Sequence, residues 1–375
     1  MNSSYLCLAT ICVLLGQLAS PAQDITSRGN QMLVEMPGDS FQGEVPELSD
    51  SQNELACSLK KHVKKLSGEL GERNVYKFAK LEAAAKYLES ELSGAGYEVD
   101  RQTFRVRGRE CANIVVELKG TDLGDQVVVV GGHYDSATGA TGANDNGTGA
   151  AATVELAKLF AEKETRRTVR FVLFTNEEQP WFQSESMGSL VYARRCKKRL
   201  ENVVAMFSLE TMGYFSDKPN SQRYPQPLDQ YYPSTGNFIA FVGDIAAGPL
   251  VSWTVKTFRE QAQIPSQGAA LPGRLPGVGW SDHWSFWQCG YRAVMVTDTA
   301  IYRYPHYHKK TDTVDKINFQ KMTLVVSGLE NVLEQLASPS GTSRVVTKAR
   351  PAEKKQPQAE IQQSVRRVRF RFLRW

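Results

Sequence analysis

After its first eighteen residues the sequence has no long apolar run, and it contains no C-x-x-C pair and no internal repeat. The first absence leaves no later segment able to cross a bilayer, which takes about 20 consecutive apolar residues. The second removes a cysteine-built zinc site and a thioredoxin-like redox motif. The third removes solenoids and propellers. Of the six cysteines, Cys7 and Cys12 sit in the apolar leader, while Cys57, Cys111, Cys196 and Cys289 are widely spaced and their pairing stays open. An overall basic character is also missing, despite a formal charge of +5. From Ala337 to Trp375 ten Arg and Lys face two Glu, a net +8, so the body of the chain carries −3. What is there is an ordinary globular composition, 41% hydrophobic and 23% charged, neither disordered nor membrane-embedded.

The chain opens with an apolar run from Leu6 to Leu18, followed by Ala19-Ser20-Pro21-Ala22. This pattern predicts a secretory signal peptide over residues 1–22, hence a secreted or periplasmic protein. No Lys or Arg precedes the run, and a buried N-terminal helix is the plainer alternative. Residues 23–53 lack periodicity and read as a leader or linker. A folded domain is expected over 54–337, and a basic, disordered tail over 338–375. Within that tail Val365–Trp375 alternates cationic and apolar residues, which suits contact with an anionic surface, although a solvated tail explains it more simply. No nucleic-acid-binding fold accompanies it, so no nucleic-acid partner is expected.

Leu81, Ala85, Leu88 and Leu92 fall at helical spacing before Gly94-Ala95-Gly96. Tyr97–Val106 and Ala112–Leu118 alternate like half-buried strands. Val127-Val128-Val129-Val130 is a continuous β-branched run, as in a strand buried on both faces. Further strands are expected at Val169–Thr175, Val203–Leu209, Phe238–Val242 and Ala293–Thr297. Helices are expected near 149–162, 187–196, 250–262 and 319–336. Strands alternating with helices predict an α/β fold, one sheet with helices on both faces.

In open α/β sheets ligands collect beyond the carboxyl ends of the strands. The valine strand ends in Gly131-Gly132-His133-Tyr134-Asp135, and the following loop holds Asn144-Asp145-Asn146 among glycines. Later strands end in Asn176-Glu177-Glu178 and Ser208-Leu209-Glu210, and His306-Tyr307-His308 follows the Ala293–Thr297 strand. Carboxylates this numerous push protons back onto one another unless cations intervene. Two imidazoles, three carboxylates and no thiolate suit a pair of zinc ions, with cobalt or manganese as substitutes. A bridging carboxylate is needed, and Asp145 in its glycine-rich loop is the candidate. Glu177, beside a metal-holding Glu178, is then free to act as general base. Taken singly, each residue has a duller account: a core histidine, a turn or cap aspartate, a solvated loop, a salt-bridge partner.

These residues in their local context resemble metallopeptidase family twenty-eight, the secreted zinc aminopeptidases related to glutaminyl cyclases. The matching segments are His133-Tyr134-Asp135-Ser136, the loop Gly142–Gly149, Asn176-Glu177-Glu178, Met187-Gly188-Ser189 and His308 through Asp312-Thr313. The resemblance runs from about Cys57 to Leu336. It implies a mixed, largely parallel central sheet and two zinc ions bridged by Asp145, one completed by His133 and Glu210, the other by Glu178 and His308. It also implies Glu177 as the base and Asp135 as the group that orients His133. His306 falls outside the family spacing to Asp312. Glu210 stands where many relatives have Asp, and Gln179–Ser184 lengthens a segment as in glutaminyl cyclases. Ser281-Asp282-His283 resembles a motif of both branches, which makes Asp282 a pocket candidate. Trp181, Phe182, Trp280, Trp284 and Trp287 are candidates to line a specificity pocket, with core packing equally natural for the last two.

Three classes of function follow from this resemblance. The leading one is an aminopeptidase acting on peptides with a free N-terminus. The others are a glutaminyl cyclase-type enzyme and a non-catalytic domain on the same fold.

Overall fold

Side chains alternate across a strand, and the valine run divides accordingly. Val128 and Val130 enter one core while Val127 and Val129 enter a second. All four are buried, each contributing about 1.5–3 kcal/mol relative to an exposed position. A strand with a core on either side has no solvent face to keep polar, which explains the unbroken run. The computed structural model describes residues 33–339 and the backbone of Arg344–Val345. The expected signal peptide and the Val365–Trp375 run lie outside the described residues.

The strands are β1 (Asp100–Val106), β2 (Arg109–Leu118), β3 (Leu123–His133), β4 (Lys163–Glu164), β5 (Arg167–Phe174), β6 (Asn202–Leu209), β7 (Ile239–Asp244), β8 (Ser266–Leu271), β9 (Ala293–Thr297) and β10 (Arg344–Val345). Eight of them form one sheet in the order β1-β2-β5-β3-β6-β9-β7-β8, and β4 pairs with β10 separately. The central neighbours β5, β3, β6 and β9 run parallel; β1, β2 and the β7–β9 pairing are antiparallel. The helices are α1 (Asp50–Val63), α2 (Phe78–Gly94), α3 (Gly149–Phe160), α4 (Gly188–Lys198), α5 (Gly248–Arg259), α6 (His283–Gln288), α7 (Ala300–Arg303) and α8 (Phe319–Ala337). One face of the sheet packs on α1, α2, α3, α5 and α8, and the other on α4 and α6. The fold is therefore the expected mixed α/β sandwich. Among the described residues no helix is long and apolar enough to cross a membrane. Cys57, Cys111, Cys196 and Cys289 are all free thiols.

Two segments differ from the sequence expectation. The folded domain expected from 54 opens with helix α1, which begins at Asp50, because Ser49 and Gln52 form a reciprocal capping box. Before it, Leu33 exchanges two backbone hydrogen bonds with Ala270 on the edge strand β8, at 2.9 and 2.8 Å. Arg259 donates to the carbonyls of Met36, Pro37 and Gly38. This part of the chain covers a sheet edge through its backbone, and backbone pairing leaves no side-chain periodicity to read. Strand β8 and helices α6 and α7 were likewise not among the expected elements, being short and without clean periodicity.

Candidate metal centre and substrate cleft

Because β5, β3, β6 and β9 are adjacent and parallel, their carboxyl ends share one edge, with neighbouring strands about 4.8 Å apart. His133 is the last residue of β3, Glu177 and Glu178 lie just past β5, and Glu210 directly follows β6. Asp145 comes from the loop between β3 and α3. That loop can sit against the sheet because α3 starts on Gly149, where a Cβ would come within 2.0 Å of the Leu209 carbonyl. His308 arrives from the loop after α7 with a left-handed backbone, φ 55°, a conformation that a non-glycine residue holds at a cost of about 1–3 kcal/mol.

These side chains converge as two groups that share Asp145: His133, Asp145 and Glu210, then Asp145, Glu178 and His308. His133 Nε2 stands 3.0 Å from Glu210 and 3.4 Å from Asp145 Oδ1. His308 Nε2 stands 3.0 Å from Asp145 Oδ2 and 3.2 Å from Glu178. Ligand atoms around a tetrahedral zinc are about 3.3 Å apart, given bonds of roughly 2.0–2.2 Å. His133 Nε2, Asp145 Oδ2 and Glu178 Oε1 are buried without a hydrogen-bond partner. Unpaired buried polar atoms carry a full desolvation penalty, and a cation in each group would remove it. The residues thus fit two metal ions.

Glu177 is buried beside the first group, its Oε2 3.7 Å from His133 Nε2. Burial pushes its carboxyl well above the usual range, the His133 charge opposes this, and Glu210, Glu178 and Asp282 add to it. Glu178 is pushed up to about 7 by burial and by Asp145. Burial also raises Glu210, against the pull of His133. Burial acts to raise Asp145 as well, but His133 and His308 outweigh it and hold this carboxylate low. Asp145 is therefore the carboxylate best able to stay ionised between the two groups.

Asp135 is buried and ties two strand ends together. Its oxygens accept from the backbone N–H of Glu177 and of Glu178, both at 3.2 Å. Its Oδ1 lies 3.3 Å from His133 Nδ1, without the alignment of a hydrogen bond. Asp282 is wholly buried, has no hydrogen-bond partner, and is pushed up to about 7 by burial, with His133 opposing. It lines neither cavity described below and sits under the site rather than in its wall. His306 bonds Thr311 at 2.9 Å and joins neither metal group.

Two cavities flank the centre. One is lined by Glu177, Glu178, Phe182, Trp280, Tyr307 and His308. The other is apolar, has a volume of about 100 Å³, opens at Glu210, and is walled by Tyr224, Leu228, Tyr232, Met295 and Tyr302. A single water needs roughly 10–15 Å³ of such space, so one apolar side chain fits. Trp280 and Tyr307 border both cavities. Trp181 lines neither and packs on the main core, and Trp287 packs beneath the sheet, its indole donating to the Ala293 carbonyl.

Four contributors had no role in the sequence reading, although Asp312 stood in one of the matching motifs. Asp312 accepts from the backbone of Asn144 at 2.8 Å and of Asp145 at 3.1 Å, so it fixes the metal loop directly. Asp298 holds that loop through Asn144 and grips the chain after Glu210 through the backbone N–H groups of Gly213 and Tyr214. It directly follows β9, so the strand-end rule would have found it. Tyr307 stacks on His308, ring centroids 3.9 Å apart. Arg73 had no sequence signal at all. It is fully buried, and its guanidinium donates to the carbonyls of Tyr134 (2.6 Å), Thr141 (2.7 Å) and Gly142 (2.8 Å). Burial lowers its pKa to about 10, so it stays charged at neutral pH among Asp135, Asp312, Asp145 and Glu178.

Arg73→Met should therefore weaken zinc binding about ten- to a hundredfold, the size seen when groups behind metal ligands are lost. It should also destabilise the metal-free protein by about 3 kcal/mol or more, since several buried carbonyls lose their donor. Calorimetric zinc titration alongside thermal melts checks this, with Arg73→Lys as the variant that keeps the charge and loses the fork. A lowered melting temperature with unchanged zinc affinity would make Arg73 purely structural.

Residues 113–332 match the model of "Peptidase family M28". The chain is 34% identical over 284 residues to the uncharacterized protein YfbL of Escherichia coli K12, covering 73% of this chain and 86% of that one. It is 26% identical to leucine aminopeptidase 2 of Arthroderma otae, over 62% of this chain and 46% of that protein. Among solved structures it superposes on a zinc aminopeptidase of Bacillus subtilis with TM-score 0.61 at 14% identity, covering 79% and 96% of the two chains. The glutaminyl cyclase of Porphyromonas gingivalis superposes with TM-score 0.56 at 17% identity, over 75% and 98%. The fold is thus common to both kinds of enzyme, and by the family model and by YfbL the chain belongs to peptidase family M28.

Proposed function

We propose that the protein is a zinc-dependent aminopeptidase that hydrolyses the first peptide bond of substrates with a free N-terminus. The observation that carries this reading is the pair of ligand groups sharing Asp145, which provides two cation positions side by side. Two zinc ions there would polarise the scissile carbonyl and acidify a water molecule. His133 and Glu210 would hold one ion, Glu178 and His308 the other, and Asp145, which belongs to both groups, would contribute to each. Asp135 lies beside the Nδ1 of His133 and keeps Glu177 and Glu178 in place through their backbones. Glu177, beside these groups but belonging to neither, takes the proton of the attacking water and delivers it to the leaving amine. The first side chain enters the apolar pocket beside Glu210, and Glu210 and Glu177 receive the α-ammonium group. With residues 1–22 as an export signal, the enzyme acts outside the cytoplasm, secreted or periplasmic.

Acetylating the substrate removes the ammonium charge and leaves those carboxylates desolvated without a partner, at a cost of about 1–3 kcal/mol. A free peptide beginning with Leu should be cleaved at least about ten times faster than its acetylated form. Equal rates would remove amine recognition. The same assay on a peptide beginning with Gln separates the chemistries: ammonia release without free glutamine would move the protein to the cyclases.

A further inference from the structure

The cleft continues past the metal centre on the side away from the apolar pocket. Beyond Glu178 and His308 lies an open groove bordered by Ala137, Thr138, Gln179 and Pro180 and ending at Tyr76. The cavities form a series. The apolar pocket and the cleft share Trp280 and Tyr307, and the cleft and this groove share Glu178, Gln179 and His308. With the first side chain in the apolar pocket, the leaving part of a peptide has the groove as its way out. This rests on the aminopeptidase reading above.

Tyr76 closes the groove, and the surface just past it is built differently from the metal centre. Tyr76 is 51% exposed, so one side of its ring is open to the groove. The Arg107 guanidinium stands 5.7 Å from its ring centroid and within 3.4 Å of its hydroxyl. Arg109 lies over Phe78 in the same way, at 5.4 Å. Lys77, Arg105, Arg107 and Arg109 are all exposed, and Glu110 is the one acid in the 105–110 turn. Guanidinium groups stacked on rings keep their edges free for a carboxylate. The inner site is crowded with buried carboxylates, whereas this rim is cationic.

The geometry points to Tyr76 and Arg107 as a subsite for the leaving peptide that selects an acidic side chain, or a short peptide's terminal carboxylate, downstream of the scissile bond. An acid nearer the first residue meets the carboxylates of the metal centre; one carried further out meets Arg107. The rim is exposed, so the gain is that of one solvent-screened charge contact, about three- to fivefold in kcat/KM, and it should fade as salt rises.

The test compares leucine 4-nitroanilide, which has no leaving peptide, with the amidated peptides Leu-Ala-Glu-Ala and Leu-Ala-Lys-Ala on the zinc-loaded enzyme. The wild type should prefer the Glu peptide about three- to fivefold, mainly through KM. Arg107→Asn suits the left-handed backbone at this position, φ 50°, and should bring the ratio close to one. Tyr76→Ala should raise KM for both peptides, and nitroanilide hydrolysis should stay within about twofold of wild type in both variants. An unchanged Glu-to-Lys ratio in Arg107→Asn, with normal nitroanilide turnover, overturns the subsite alone. Loss of all nitroanilide hydrolysis in the wild type would instead overturn the aminopeptidase reading.

Discussion

Replacing Asp145 with Asn should remove tight zinc binding from both positions at once and lower turnover by at least about a thousandfold. Asp145 belongs to both ligand groups, with one oxygen towards His133 and the other 3.0 Å from His308. An amide offers a neutral oxygen to one side and N–H donors to the other, so it cannot bridge two cations. Losing Lewis-acid stabilisation costs several kcal/mol, and about 1.4 kcal/mol is tenfold in rate. The side chain sits in a loop held by Asp312 and Arg73 from outside, so the substitution should leave the fold intact. Elemental analysis should find near two zinc per wild-type chain and far below one in the variant. Zinc should also raise the melting temperature of the wild type and not of the variant, because binding to the native state alone stabilises it by mass action. A variant that keeps one tightly bound zinc would show that Asp145 does not bridge.

Replacing Glu177 with Gln should give the opposite combination: metal content unchanged and turnover at least about a hundredfold lower, the low end for losing a positioned base. Glu177 belongs to neither ligand group. Its neighbour Glu178 reaches His308 and the second group, and the same Asp135 fixes the backbone of both. Gln preserves shape and hydrogen bonding while removing the ability to carry a proton. The loss should fall mainly on kcat, for the proton step, with a smaller rise in KM because Glu177 shares the α-ammonium group with Glu210. If Glu177→Gln stays near wild type while Glu178→Gln keeps both metals, the two adjacent carboxylates have been given each other's roles.

Residues that act through position in a regular element were legible in the sequence. His133, Glu178 and Glu210, read as ligand candidates, do lie close together, because a strand's carboxyl end is readable from its apolar run. Several parallel strand ends must share an edge, so their convergence followed before any coordinate. The valine run announced a sheet covered on both faces for the same kind of reason: local pattern and burial are coupled through a period of two.

What the tertiary structure decided is whatever depends on contacts between distant segments. Arg73 lies some sixty residues from the carbonyls it binds, and its partners are backbone atoms, which every residue has, so no motif marks them. Trp181 and Phe182 are neighbours with the same apolar character, yet Phe182 lines the cleft and Trp181 packs on the core. Only the path of the loop that carries both separates these fates. Asp282, expected in the pocket wall, is fully buried and lines neither cavity, a difference no local pattern announces. The apolar pocket gathers side chains from the loop after β6, from the β7–β8 edge and from α7. Each of these pieces reads as ordinary structure, since a pocket is a space between elements and no single stretch of chain encodes it.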